Sequence, residues 1–264
     1  DGPIQQRSDE IYSHERKGEC SAVPLYGLPS TDELKSMTKK ELYVIYHSYL
    51  DNTEVVCKRK LRMGKVGDGG WEVCDDYAYR PVEPCIVYSF GIKNDFSFDD
   101  DVAKLYGCHV YSFDPSMGVN SSDRSPNVHF YNVGLGGKGG QLPAGIPTQV
   151  AKQNNWKVTA LLKPIDIVKM DIEHSEWLAL PEMVRTGELF KVRQLLVEFH
   201  LHGGDNQEEV RGRLPVLKQL EDLGFRLFHT HLNPECDEIP AGDFPVERTT
   251  CYEVYYLNSR FVRE

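Results

Sequence analysis

From residue 85 onward the chain is organised by seven short apolar runs: CIVYSFGI, CHVYSFDPS, VHFYNVGLG, IDIVKMDIE, RQLLVEFHL, FRLFHTHLN and TCYEVYYLN. Each is rich in β-branched and aromatic residues with little polar alternation, which is the pattern of strands covered on both faces of a sheet. Between them, Asp99 to Tyr106, Ser175 to Thr186 and Gln207 to Leu223 have the composition of crossover helices, whereas Gly136 to Gly145 reads as a glycine-rich turn. Strands alternating with helices predict an α/β, doubly wound sheet. The last two runs are joined by PECDEIPAGDFPVERT, rich in proline, glycine and acid, so the sheet is expected to close with an antiparallel hairpin. Upstream, STDELKSMTKKELYVIYHSYL offers Ser30 or Thr31 as a helix cap with Glu33 behind it. Leu34, Met37, Leu42, Ile45 and Leu50 then follow at helical spacing. A helical extension over residues 1–57 is therefore expected beside a main domain at 58–264.

Composition narrows this picture. The chain has 264 residues, 40% of them hydrophobic, enough for a sizeable core. No run approaches the roughly 18 to 20 apolar residues that cross a bilayer. The sequence opens on Asp1 rather than Met, which leaves room for a signal or anchor removed from the N-terminus. A net charge of -10 and a pI near 5.4 argue against nucleic acid as a partner, because nothing offers phosphates a basic field. The seven cysteines form no CxxC pair and have no histidine at zinc-finger spacing, so a structural zinc site is not expected. Cys85 and Cys108 each open a strand and are expected as free, buried thiols. Cys236 and Cys251 flank the final loop, where a bridge and two free thiols are both open. A bridge, like the glycosylation triplet Asn120-Ser121-Ser122, would fit the lumen of the secretory pathway, Golgi-like, or secretion; the alternative is cytoplasmic.

In an open α/β sheet, ligands bind beyond the carboxyl ends of the strands, where strand order reverses. Gly91, Asp114, Leu135, Asp171 and Glu198 all fall at such ends. No G-x-G-x-x-G follows the first run, as a dinucleotide dehydrogenase would require. Instead SFGIKNDFSF, FDPS, VGLGG and VKMDIEHSEW stand where class I S-adenosylmethionine-dependent methyltransferases carry their first glycine loop and the acidic ends of later strands. VKMDIEHSEW resembles the K-x-D-I-E-G-x-E run of FkbM-type methyltransferases, and GDGGWEVCDD with YSFGI is similar to animal methyltransferase-like proteins. The resemblance covers roughly Lys58 to Asn258. It implies a Rossmann-like, seven-stranded, mostly parallel sheet ending in the hairpin, and S-adenosyl-L-methionine as methyl donor, released as S-adenosyl-L-homocysteine. Ser89, Phe90, Gly91, Asp95, Phe96, Asp114, Pro115, Ser116, Gly134, Leu135 and Asp171 would line the donor site. Gly91 lets backbone approach the donor's methionine part, and Asp114 accepts from both ribose hydroxyls. For Gly69 and Gly70, a loop folded over the donor and a plain turn before a short strand are both open.

Methyl transfer from a sulfonium requires the acceptor to be oriented and relieved of a proton. Asp171, Glu173 and His174 follow the fourth run; Glu198, His200 and His202 close the fifth. His200 is the expected base, its tautomer fixed by Glu198, with Asp171 and Glu173 holding the acceptor; a purely structural histidine is the alternative. The same carboxylates with one imidazole could hold magnesium or manganese, though nothing in the spacing requires a metal. The FkbM-type resemblance implies O-methylation of a glycan or small polyol. Competing readings are a catalytically silent fold serving as a binding module, and a protein N-methyltransferase.

Overall fold

The computed structural model describes residues 27–135, 164–201, 206–240 and 246–261. All seven apolar runs are strands of one sheet: β3 (Ile86–Phe90), β4 (His109–Phe113), β6 (Val128–Tyr131), β7 (Ile165–Met170), β8 (Val192–His200), β9 (Phe225–Leu232) and β12 (Cys251–Asn258). A two-residue edge strand, β5 (Ser122–Asp123), makes the sheet eight-stranded, in the order β5-β6-β4-β3-β7-β8-β12-β9. Such a short strand has no apolar run to announce it. β6, β4, β3, β7 and β8 pair in parallel, and β12 lies antiparallel between β8 and β9. The closing hairpin is thus inserted: its second strand is the inner one and its first becomes the edge. Its connecting loop carries a small ribbon of its own, β10 (Glu238–Pro240) against β11 (Glu247–Thr249).

The three crossover helices appear as α3 (Ser97–Tyr106), α4 (Glu176–Thr186) and α5 (Gln207–Asp222). The glycine-rich turn expected at 136–145 lies outside the described residues. The amino-terminal segment forms two helices, α1 (Thr31–Ser36) and α2 (Lys39–Asp51). Ser30 caps the first through a reciprocal box with Glu33; Thr38 and Glu41 repeat the device at the second. Each box satisfies two backbone donors that a helix start leaves unpaired.

The sheet's two faces are covered differently. Leu34, Leu42, Ile45, Tyr46 and Leu50 pack with α4, α5 and one face of the sheet in a single core. On the other face α3 lies beside an antiparallel hairpin, β1 (Lys60–Met63) and β2 (Trp71–Cys74). Buried Gln194 of β8 clamps that hairpin: its amide donates to the Cys74 and Tyr79 carbonyls at 2.9 and 3.2 Å, and its oxygen accepts from Cys74 N–H at 2.8 Å. Trp71 packs on Tyr255 with ring centroids 5.8 Å apart.

Disulfides join Cys57 to Cys74, Cys85 to Cys108 and Cys236 to Cys251. The expectation of free thiols at Cys85 and Cys108 is corrected: both precede adjacent parallel strands in register, which brings their Cα atoms to 4.6 Å. Intact mass before and after reduction should therefore differ by two hydrogens for each of these bridges. Breaking Cys236–Cys251, which closes a span of 15 residues, should lower stability by about 3 kcal/mol in chain-entropy terms. Alkylation of any of these six cysteines in the unreduced protein would refute the pairing.

Candidate functional site

Strand order reverses between β3 and β7, and there the chain is tightest. Gly91 ends β3 with φ +73°, and a Cβ built on it would lie 1.5 Å from the Asp171 carbonyl oxygen. Gly91 N–H donates to Phe113 O at 2.9 Å and Asp171 N–H to Phe90 O at 3.1 Å, binding the ends of β3, β4 and β7 into one rim. Among the described residues, four non-glycines have positive φ: Lys93 and Asn94 after β3, Glu173 and His174 after β7. A left-handed backbone is costly for such residues, so among the described residues this strain collects at the rim.

Asp114 is nearly buried at the end of β4. One carboxylate oxygen accepts from Lys93 N–H at 2.7 Å; the other accepts from Ser116 N–H at 2.7 Å and its hydroxyl at 2.6 Å. These three bonds leave room for about one more on a carboxylate's roughly four acceptor positions. Gly134 packs on Pro115, where an added Cβ would come within 2.9 Å of the ring, and Leu135 rests against the first core.

Other expected donor-site residues separate into rim and core. Ser89 is fully buried, and the Phe90 ring stacks on Phe113 at 4.9 Å inside the core, so Phe90 reaches the rim through its backbone. Phe96 lies edge-on to Phe130, beneath the Arg124 guanidinium. Asp95 pairs with Lys65 at 2.9 Å and accepts from Ser97 N–H; burial opposes its charge, but these partners outweigh it and hold the carboxyl low. The GDGGW turn meets this loop at Gly69. A Cβ on Gly69 would collide with the Asp95 carboxylate, and one on Gly70 would strike the Lys65 carbonyl.

Lys169, the lysine of the K-x-D-I-E-like run, has no role in that reading, although a lysine inside a fully buried strand is itself a signal. Its buried Nζ donates to Gly91 O at 2.6 Å and lies 5.2 Å from the Trp71 ring centroid, joining the rim to the hairpin. Asn233, at the end of β9, was missed as well. It donates to Glu198 Oε1 at 3.0 Å and reaches Asp68 of the hairpin turn at 3.4 Å.

Asp171, Glu198 and His200 come together, their ligand atoms within 4.8 Å of one another, and exposed Glu173 approaches His200 Nε2 at 3.7 Å. His202 lies outside the described residues. The partner expected for His200 is corrected. Its Nδ1 meets Glu176 Oε1 at 3.1 Å, whereas Glu198 stands 3.7 Å from Nε2. Glu176 is fully buried at the start of α4, where Oε1 also accepts from Ile172 N–H at 2.9 Å. Burial disfavours a charged imidazole, yet Glu176, then Glu198 and Asp171, outweigh it and raise the His200 pKa. These acids therefore favour the charged form of the imidazole over the neutral ring. Burial, with Asp171 beside it, raises Glu198 as well.

A family model described as a methyltransferase domain matches residues 30–241. Probable methyltransferase-like protein 24 of Rattus norvegicus is 26% identical over 235 residues, covering 81% of this chain and 64% of the relative. Its counterpart from Homo sapiens is 25% identical over 234 residues, covering 81% and 63%. The chain thus spans a little under two thirds of the length of these relatives. The solved precorrin-6y C5,15-methyltransferase from Geobacter metallireducens GS-15 aligns over 68% of this chain and 83% of its own, at 9% identity and a TM-score of 0.31, too slight a likeness to argue from. With the family match running from the first capped helix through the last rim residue described above, the chain belongs to the methyltransferase domain family.

Proposed function

We propose that this domain transfers a methyl group from S-adenosylmethionine to a hydroxyl of a glycan or other small polyol. The observation that carries the reading is the rim at the reversal of strand order, where the strand ends bearing Gly91, Asp114 and Asp171 are bonded together. The donor's methionine part would lie along the backbone at Gly91, with the Lys169 ammonium fixing that turn from below. Asp114 would accept one ribose hydroxyl at its remaining position while its other bonds keep the loops after β3 and β4 in place. The acceptor would enter over Asp171, Glu173 and His200, and its proton would leave to an Asp171 or Glu173 carboxylate as the methyl group moves in line from sulfur to oxygen. His200, biased toward its charged form by Glu176, would position the acceptor. Three disulfides among the described residues support an oxidising compartment, the secretory lumen or the cell exterior.

Calorimetric titration with S-adenosylhomocysteine tests the donor site. Saturable binding is expected, and its absence from a folded chain would leave only a cofactor-free role. Asp114→Asn should weaken that binding by about 1 to 3 kcal/mol, the worth of a charge-assisted hydrogen bond in a pocket. Unchanged affinity with a lower melting temperature would make Asp114 a loop staple and displace the donor site.

A further inference from the structure

The turn between β1 and β2, Gly64 to Gly70, has no part in the reading above, yet it meets the rim at two separate places. We propose that it is a strut joining the donor loop to the acceptor acids, with Asp68 as a positioning residue that acts on Glu198 through Asn233. The proposal rests on the methyltransferase reading, in which the loop after β3 holds the donor. Arg62 first fixes the shape of the turn. Its Nε donates to Lys65 O at 2.8 Å, one terminal nitrogen to Gly67 O at 2.7 Å and the other to Glu72 at 2.7 Å. A planar fork that holds two carbonyls of one turn leaves that turn little freedom.

The first anchor is the donor loop. Lys65 pairs with Asp95 at 2.9 Å, a contact too exposed to count for much alone. Close packing does more: a Cβ on Gly64, at φ +83°, would come within 2.9 Å of Phe98 N and Gly69 O, and Gly64 N–H donates to Asp101 of α3 at 2.8 Å. The second anchor is Asn233, which follows β9, and in the sheet β7, β8 and β12 separate β9 from β3. Leu196 of β8 lies in the hairpin-side core, so Glu198, two residues on, turns to that same side. Asn233 is nearly buried, with both ends of its amide engaged. The oxygen accepts from Glu235 N–H at 3.0 Å, which leaves the nitrogen to donate to Glu198 Oε1 at 3.0 Å and to Asp68 Oδ1 at 3.4 Å. One amide thus fixes two carboxylates, one on the turn and one beside His200. Burial and then Asp171 raise the Glu198 pKa and the Asn233 bond opposes them, so an amide freed from Asp68 changes the charge that His200 faces.

The test reads the His200 ring nitrogens of the full chain by nuclear magnetic resonance, because Glu198 stands 3.7 Å from Nε2. The signals missing from His200→Gln assign them. Asp68→Ala should shift these signals in the free protein. S-adenosylhomocysteine should shift them in the wild type and much less in Asp68→Ala, with its affinity near wild type in both. Asp68→Asn keeps an oxygen for the Asn233 amide and should restore wild-type behaviour, whereas a role in stability alone would lower the melting temperature and leave His200 unmoved. Asn233→Ala cuts the same path one step further on and should reproduce Asp68→Ala, which keeps a second variant if the first does not fold. Unmoved His200 signals in folded Asp68→Ala, no rescue by Asp68→Asn, or equal S-adenosylhomocysteine shifts with and without Asp68 would each overturn the proposal. If S-adenosylhomocysteine does not bind the wild type at all, the donor reading falls, while the free-protein comparison still decides whether Asp68 positions Glu198.

Discussion

Gly91→Ala should all but abolish donor binding and destabilise the fold by about 3 kcal/mol or more. Two costs combine. A side chain at φ +73° puts alanine in the left-handed region, a penalty of about 1 to 2 kcal/mol. The new Cβ would also lie 1.5 Å from the Asp171 carbonyl, so β3 and β7 must move apart at the point where they are bonded. Separating them pulls Asp171 N–H from Phe90 O and disturbs the Gly91 carbonyl held by Lys169. Thermal melting and S-adenosylhomocysteine titration of the variant check this together. A variant with wild-type melting and affinity would show that the rim relaxes easily and that the crevice is not a tightly built site.

Asp171→Asn should lower turnover by about a hundredfold to ten-thousandfold, the usual worth of a positioned proton acceptor, while donor affinity stays near wild type. Asparagine keeps the shape, and the backbone bonds of residue 171 to β3 are untouched, so the change removes charge and basicity at the rim and little else. Turnover is read with isotopically labelled donor on whichever hydroxyl compound a panel of glycans and polyols returns. Near-normal turnover would move the acceptor's proton to Glu173 and empty Asp171 of its role. A large loss of donor affinity instead would place Asp171 on the donor rather than the acceptor.

Much of this architecture was legible in the order of residues. The seven strands announce themselves because a strand covered on both faces is apolar at most positions, and such runs are short, β-branched and conspicuous. Ser30 with Glu33 marks a helix start by purely local chemistry. Gly91, Asp114, Asp171 and Glu198 were identifiable because topology sends strand ends to one edge wherever parallel strands alternate with helices.

What remained hidden depends on contacts between segments far apart in the chain. Cys85 and Cys108 pair because β3 and β4 lie side by side in register, and Cys57 meets Cys74 because antiparallel pairing sets Lys60 opposite Cys74; neither register is written in the spacing. The Gln194 clamp on that hairpin joins residues 120 positions apart. Glu198 was the partner expected for His200, but the way α4 meets the end of β8 puts Glu176 on Nδ1 instead and biases the imidazole toward its charged form. The sequence determined the sheet, its strand ends and the acids available there, since those follow from local periodicity and connection rules. Tertiary packing alone decided which acid faces which base, because hydrogen bonds and charge interactions change within a few ångströms and side-chain direction is settled only when the elements dock.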